Sequence, residues 1–133
     1  EVPLNPLKLL LDARATFIAQ VYPAKLSHMV TTIVKAVKHP GFAFVRVLQP
    51  CVTYNDTWKY YGKRVEIIEN NDDNYDRAQK LCRMTDNSIP LGILYQDTSK
   101  LAFHQEIYKD HHPINNRLSR EERLTKIRTL LNL

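Results

Sequence analysis

The sequence has little glycine and cysteine and no long hydrophobic run. It contains only three glycines, where average usage of roughly 7% would give about nine. A P-loop or dinucleotide fingerprint needs several closely spaced glycines, which excludes both from this stretch. Two cysteines are too few for a disulfide framework, and no apolar stretch reaches membrane length. These shortages predict a cytoplasmic protein that does not bind a membrane.

The composition is that of one ordinary globular domain with a mild positive charge. Of the 133 residues, 44% are hydrophobic, which is enough for one core and too few for two. Lys and Arg outnumber Asp and Glu by 19 to 14. The cations are scattered, so they favour acidic partners and give no reason to expect nucleic acid binding. Because the first residue is Glu1 rather than Met, we expect a piece of a longer polypeptide.

The hydrophobic pattern alternates between helices and strands, which predicts an α/β fold with a mainly parallel sheet flanked by helices. Strands are predicted at 15–21, 41–48, 64–68 and 89–95, and helices at 5–13, 24–38, 56–61, 73–84 and 101–109. A last helix begins with the capping box of Ser119 and Glu122. We assign 1–110 to the main domain and 111–133 to a helical tail.

Apolar residues on one side of several of these helices predict which side is buried. In the helix at 24–38, residues spaced three or four apart indicate packing on the sheet: Leu26, Met29, Val30, Ile33 and Val37. The last helix is predicted to bury Leu124, Ile127 and Leu131, and the helix before it has Phe103 and Ile107 on one side.

Cys51 is the strongest candidate for chemistry. It follows an apolar strand that ends in Pro50, and polar residues come directly after it. In open α/β sheets ligands lie at the carboxyl ends of strands, so this thiol is well placed for a ligand or reactive role. The competing interpretation is that a lone cysteine at a strand end is a small core residue.

Three segments give the chain a resemblance to a known family. From residue 5 to about residue 109, the chain resembles the carboxyl-terminal part of the β subunit of 2-oxoacid:ferredoxin oxidoreductases. The segments that carry the resemblance are NPLKLLLDARATFIAQ, HPGFAFVRVLQPCVTYN and IPLGILYQ. The resemblance implies the carboxyl-terminal portion of a thiamine-diphosphate-binding fold. It also implies that Cys51 is one of four cysteines that bind a 4Fe-4S cluster.

The function implied by the resemblance is oxidative decarboxylation of a 2-oxoacid to an acyl-coenzyme A, with electrons passing through the cluster to ferredoxin. The implied partners are the other oxidoreductase subunits, ferredoxin, the 2-oxoacid and coenzyme A. Thiamine diphosphate and Mg²⁺ belong to the complete subunit, because the Gly-Asp-Gly signature and the other cluster cysteines are missing from this sequence. The chain alone is therefore expected to be inactive.

The sequence departs from the family pattern at two positions. Arg14 stands where the family usually has Gly, and Gln20 stands where it often has Arg, which puts an anion contact in doubt. Thr53 and Asn55 are candidates to donate hydrogen bonds toward cluster sulfurs.

Two other functions stay open. One is half of a cluster-free thiamine-dependent 2-oxoacid decarboxylase, and the other is a non-enzymatic basic α/β module that binds an acidic protein or RNA.

The remaining candidate residues have structural interpretations. Cys82 is expected in the core, and His111 and His112 are expected in solvent. Asp72, Asp73 and Asp76 suit a helix start, where negative charge is favourable. The aromatic residues after Cys51 either insulate a redox centre or pack structurally, with packing favoured: Tyr54, Trp58, Tyr60 and Tyr61.

Overall fold

The structure is a computed structural model that describes residues 3–83, 87–109 and 117–131. The chain divides into two compact units, Glu1–Leu101 and Ala102–Leu133. The first unit contains, in order, α1 (Pro6–Asp12), β1 (Phe17–Val21), α2 (Leu26–Lys38), β2 (Ala43–Val47), α3 (Trp58–Gly62), β3 (Val65–Ile67), α4 (Tyr75–Cys82) and β4 (Ile89–Gln96). The second contains α5 (Phe103–Tyr108) and α6 (Arg120–Leu131).

The predicted elements are present, with ends that differ by a few residues. The division proposed at residue 110 stays a prediction, because 110–116 lie outside the described residues.

The four strands form one mixed sheet in the order β2-β1-β4-β3. The β1-β2 pair is parallel and joined through α2, as the sequence predicts, because parallel neighbours need a crossover connection. The β3-β4 pair is also parallel, whereas β4 runs antiparallel to β1 at the centre of the sheet. The predicted α/β class with a mainly parallel sheet is therefore confirmed. None of the helices in the described residues is long and apolar enough to cross a membrane.

The core lies on both faces of β1 and β4. On one face, α1 and α4 pack against Ile18 and Leu94, which are both fully buried. On the other face, Ala36 of α2 packs with Phe17 and Ile93. This division follows from the alternation of side chains along a strand.

Helix α1 begins and ends with well-defined caps. Asn5 Oδ1 accepts a hydrogen bond from the amide of Leu7, the predicted cap. At the other end, the amide of Ala15 donates to Leu10 and that of Arg14 to Leu11, the hydrogen-bond pattern of a Schellman motif. Arg14 occupies the left-handed position of this motif with φ of 65°. That conformation favours glycine, which explains why the family usually has Gly there.

The predicted orientation of α2 is wrong. The residues that face the sheet are Thr32 and Ala36, which are 4% and 8% exposed. The predicted stripe lies roughly a third of a turn around the helix. Its member Met29 is partly buried, whereas the other members are exposed: Leu26 at 62%, Val30 at 51%, Ile33 at 36% and Val37 at 80%. Hydrophobic periodicity indicates that a face will be covered, but it does not indicate which polypeptide covers it.

The second unit shows the same departure from the predicted burial. Its capping box forms as predicted, because the amide of Ser119 donates to Glu122 Oε2 at 2.7 Å and the amide of Glu122 donates to Ser119 Oγ at 3.2 Å. The predicted burial in α6 is wrong within this chain, since Leu124, Ile127 and Leu131 are 44%, 50% and 61% exposed. Phe103 and Ile107 of α5 are likewise exposed.

Candidate functional site

Cys51 lies in a short closed loop that follows β2. Leu48 and Pro50 are buried, and the amide of Leu48 donates to the carbonyl of Val21, which ties the chain to β1 just before the cysteine. Cys51 and Asn55 then exchange two backbone hydrogen bonds, of 3.2 Å and 2.9 Å. We call residues 51–55 the Cys51 loop. Because backbone hydrogen bonds join the two ends of this loop, the position of the Cys51 thiol is restrained.

The Cys51 thiol is exposed, so the interpretation as a core residue is wrong. Backbone amides of Tyr54 and Thr53, and less strongly Asn55, donate toward the sulfur and lower the pKa of Cys51. Partial desolvation opposes this shift. A lowered pKa favours the thiolate, which is the nucleophile and the metal-binding form. The geometry therefore suits a metal ligand or a reactive thiol.

The amide donors are the part of this site that sequence reasoning missed. The sequence drew attention to the side chains of Thr53 and Asn55, whereas the sulfur is approached by the main chain, and Tyr54 contributes most. Main-chain hydrogen bonds to thiolate sulfur are one of the means by which proteins tune iron-sulfur centres. The sequence signal for these main-chain donors was the turn-forming composition after Pro50.

The Cys51 loop does not supply a complete metal site. The described part of the chain contains no group of three or more His, Cys, Asp or Glu side chains that could hold a metal ion. His111 and His112 lie outside the described residues. A cluster bound at Cys51 thus takes its other ligands from elsewhere.

Cys82 is a core residue, as predicted. It is fully buried among residues of α1, β1 and β4, and burial, with a smaller contribution from the charge of Asp12, raises its pKa to about 11. Both cysteines are free. Cys82 has no access to a ligand or reagent in the folded chain.

Of the acidic residues near α4, Asp76 is the one that the helix start explains; Asp72 and Asp73 precede the helix and its cap. Asn74 caps α4 by accepting a hydrogen bond from the amide of Arg77 at 2.9 Å, and Asp76 lies in the first turn. Negative charge is favourable in that position.

The aromatic residues after Cys51 separate into two groups. The rings of Trp58 and Tyr61 lie 5.6 Å and 6.0 Å from that of Tyr22, which is buried, so these two residues pack structurally. Tyr60 contacts Tyr61 and the guanidinium of Arg64. Tyr54 is 93% exposed and is the aromatic side chain inside the Cys51 loop.

Gln20 stands where the family pattern often has Arg, and its contacts are with the main chain. Its side chain is fully buried, and its amide nitrogen donates to the carbonyl of Pro90 at 2.8 Å. A neutral amide bound to the main chain does not provide the cation that an anion contact needs.

Comparisons with known proteins identify relatives of this chain. The family model for the carboxyl-terminal region of the pyruvate ferredoxin oxidoreductase β subunit matches residues 51–112, a match that begins at Cys51. A 2-oxoacid:ferredoxin oxidoreductase β subunit from Sulfolobus is 32% identical, with 93% of this chain matching 48% of that protein. The corresponding protein from Saccharolobus solfataricus is 34% identical over 78% of this chain and 39% of its own length.

A solved structure gives the same result at the level of the fold. The 2-oxoglutarate:ferredoxin oxidoreductase from Magnetococcus marinus, with 2-oxoglutarate, coenzyme A and succinyl-coenzyme A bound, matches with a TM-score of 0.78 at 28% identity. The match covers 96% of this chain and 45% of that one. The chain thus spans about half the length, or less, of the relatives it matches. By sequence and by fold, it belongs to the family of 2-oxoacid:ferredoxin oxidoreductase β subunits.

Proposed function

We propose that this chain is the carboxyl-terminal part of a β subunit in which Cys51 supplies one thiolate to a 4Fe-4S cluster. The observation that carries the proposal is an exposed thiol with a lowered pKa, held in a closed loop and approached by main-chain amides. An iron-sulfur ligand must be deprotonated and held in place, and Cys51 meets both needs.

When bound, the cluster supplies one-electron transfer, and thiamine diphosphate supplies the carbanion chemistry that removes carbon dioxide from the 2-oxoacid. The residues of this chain have a narrower task. The Cys51 thiolate binds iron, and Pro50 together with the two Cys51–Asn55 hydrogen bonds limits its movement. The amides of Thr53 and Tyr54 offset negative charge on the sulfur. The rest of the subunit provides the other ligands, the thiamine diphosphate and the Mg²⁺.

The assembled enzyme converts a 2-oxoacid and coenzyme A to an acyl-coenzyme A and passes electrons to ferredoxin. A β subunit functions with the other subunits of its complex. The excess of Lys and Arg over Asp and Glu, 19 to 14, favours encounter with an acidic ferredoxin by long-range attraction. We place the protein in the cytoplasm, because a reducing compartment keeps such a thiol available for iron.

The experiment is iron, sulfide and thiamine analysis of the assembled subunit with Cys51→Ser and Cys82→Ser variants. We expect iron and sulfide in the parent protein, retention in Cys82→Ser, and loss of most iron and electron transfer in Cys51→Ser. Ser replaces sulfur by oxygen with little change in volume, so the exposed position 51 is expected to tolerate it. At the buried position 82 the hydroxyl is expected to cost about 1–3 kcal/mol of stability without changing the iron content.

Two results would overturn the proposal. A colourless, iron-free subunit that still decarboxylates a 2-oxoacid would identify a cluster-free decarboxylase. Full iron content in Cys51→Ser would remove this residue from the ligand set.

A further inference from the structure

A cavity on the α2 side of the sheet brings together charged and polar residues that the proposed function does not use. Its volume is about 380 Å³, which is in the range of small-molecule sites. Three segments of the first unit supply its polar lining: Lys35, Lys38 and His39 at the end of α2, Asn70 and Asp72 before α4, and Gln96 at the end of β4.

The cavity lies at the other end of the sheet from Cys51. His39 comes before the amino end of β2, whereas Cys51 follows the carboxyl end of that strand. Gln96 pairs with Phe17 at the start of β1, because β4 runs antiparallel to β1. The five residues of β2 separate the two places by roughly 16 Å. The cavity is therefore separate from the Cys51 loop.

Two lysines give the cavity a positive charge. Among the described residues, neither Lys35 nor Lys38 is within ion-pair distance of Asp72, although Asp72 lines the same cavity. Residues 13–55, which include α2, contain five Lys or Arg and no Asp or Glu. Lysines in the last turn are favourable next to the negative end of a helix. That role does not explain why these two meet polar residues from two other segments.

Neutral side chains add hydrogen-bond donors to this lining. Asn70 Oδ1 accepts a hydrogen bond from the amide of Ile93 at 3.3 Å, so the NH₂ group of Asn70 takes no part in that contact. The backbone amide of Gln96 donates to the carbonyl of Asp72 at 3.0 Å, which ties the loop before α4 to the end of β4. The side-chain amides of Asn and Gln present N–H groups that suit the oxygen atoms of an anion.

His39 has a proton-binding position that the fold leaves unused. The Thr16 hydroxyl donates to the carbonyl of Phe42 at 3.1 Å. His39 Nε2, which lies 2.8 Å from the same hydroxyl oxygen, is therefore the donor in its own contact. His39 Nδ1 is buried and has no hydrogen-bond partner among the described residues, which is rare for a polar atom in a folded protein. Protonation of Nδ1 would add a positive charge beside the cavity.

These properties favour an anion over a metal ion. The described part of the chain contains no group of three or more His, Cys, Asp or Glu side chains that could hold a cation, and lysines repel one. We propose that the cavity binds the phosphate group of a small ligand, at a site separate from those of the 2-oxoacid reaction. Lys35 and Lys38 pair with its charge, while Asn70 and Gln96 donate to its oxygens. A phosphate carries up to two negative charges and several acceptor oxygens, so it matches two cations and neutral donors better than a single carboxylate does.

The binding test uses the assembled β subunit loaded with thiamine diphosphate and Mg²⁺, so that added phosphate does not enter the diphosphate site. Calorimetry measures the affinity for inorganic phosphate and for glycerol phosphate. We expect Lys35→Gln with Lys38→Gln to weaken the binding of both at least about tenfold. Tighter binding of glycerol phosphate would assign the site to a phosphomonoester, and tighter binding of inorganic phosphate would assign it to the free ion.

A matched pair of variants controls for the loss of charge. Lys8→Gln with Lys80→Gln removes the same charge from α1 and α4, which cover the other face of the sheet, and both lysines are exposed. The affinity for phosphate should be unchanged in this pair. All four positions lie on the surface, so these variants are expected to fold and to keep the iron content of the parent.

A second measurement tests the part that His39 plays. Burial lowers the pKa of His39, whereas an anion in the cavity favours the protonated ring, so binding should strengthen as the pH falls. Sulfate is the probe, because its charge is constant between about pH 5.5 and 8, where His is the side-chain type that titrates. We expect the parent to bind sulfate at least about threefold more tightly at the lower pH. His39→Gln, which keeps a donor for Thr16, should abolish this difference.

The other charged groups near the His39 ring are Lys35, Lys38, Asp72 and Asp97. Asp97 accepts hydrogen bonds from Ser99 and pairs with Lys100 at 3.9 Å. The two carboxylates oppose anion binding. Their effect is present in the parent and in His39→Gln alike, so the comparison isolates the imidazole.

Four results would overturn the inference. They are an absence of phosphate binding in the assembled subunit, equal affinities in the two lysine pairs, tighter binding of succinate than of phosphate, and displacement of phosphate by coenzyme A at far lower concentrations than by glycerol phosphate. The last result would make the cavity part of a coenzyme A site. The site does not depend on the proposed function, because iron content and phosphate affinity are measured independently on the same sample.

Discussion

The two thiols of this protein mark two regions with opposite properties. Cys82 lies where α1 and α4 cover the sheet, among side chains that are fully buried. Cys51 follows β2, the outer strand of the sheet, and the neighbouring helix α2 exposes apolar side chains. In the first region the fold of this chain buries most of the apolar residues. In the second, apolar side chains that the sequence predicts to be buried are exposed, and the thiol is accessible.

The largest difference is expected in thiol reactivity. Cys51 is exposed with a lowered pKa, whereas burial raises that of Cys82 to about 11. At neutral pH we expect Cys51 to be alkylated at least about a thousandfold faster, because the thiolate reacts and the buried thiol is both protonated and inaccessible. Rates against pH, compared with a cysteine peptide, should place the midpoint for Cys51 below that of the peptide.

Equal alkylation rates for the two native thiols would remove this contrast. A midpoint for Cys51 at or above that of the peptide would show that the amides of Thr53 and Tyr54 do not stabilise the thiolate.

Matched leucine truncations should separate the two regions in stability. Leu11→Ala removes a fully buried side chain, so we expect a loss of about 2–5 kcal/mol in the free energy of unfolding. Leu26→Ala removes a side chain that is 62% exposed, so the loss in this chain alone should stay within about 0.5 kcal/mol. Urea titration measures both, and a similar loss for the two variants would mean that the Leu26 side chain is packed in this chain.

The turn after α1 offers a smaller, stabilising change. Arg14 has φ of 65°, a conformation that costs a non-glycine residue about 1 kcal/mol or more. Its guanidinium also lies 5.2 Å from the centroid of the Tyr75 ring, a contact worth roughly 0.5 kcal/mol at an exposed site. We therefore expect Arg14→Gly to gain about 0.5 kcal/mol in thermal or urea unfolding.

Arg14→Ala is the control for this change. It keeps the unfavourable backbone conformation and loses the Tyr75 contact, so it should be less stable than the parent. A gain with Ala equal to that with Gly would contradict the explanation by backbone conformation.

The smallest expected effect is a pH dependence at the attachment of α2. Burial lowers the pKa of His39, although the charge of Asp97 works weakly in the other direction, and burial also lowers the pKa of His28. His39 Nε2 lies 2.8 Å from Thr16 Oγ1. Because the unfolded chain binds protons more readily at these groups, stability is lost as the pH falls below their unfolded pKa of about 6.5.

The check is urea unfolding between neutral pH and about pH 5. The fall in stability should be smaller in His39→Gln than in the parent. An identical fall in the variant would assign the dependence to other groups.

The sequence was sufficient for the order of helices and strands, the Asn5 cap and the capping box at Ser119, because these depend on local patterns. It also drew attention to Cys51, which the structure shows to be exposed and whose role as a cluster ligand stays a prediction. It did not predict the amide of Tyr54 near the sulfur, since main-chain direction in a turn is not carried by side-chain type. It placed the α2 stripe against the sheet, whereas Thr32 and Ala36 face it, because periodicity indicates an apolar side of a helix but not what covers that side.

The most direct test of the central claim is X-ray absorption at selenium after Cys51→selenocysteine replacement in the assembled subunit. If the residue is a cluster ligand, iron will be found as a directly bonded neighbour of selenium, while Cys82→selenocysteine will show only light atoms. A spectrum at position 51 with no iron neighbour, in a subunit that contains its full iron, would contradict the account.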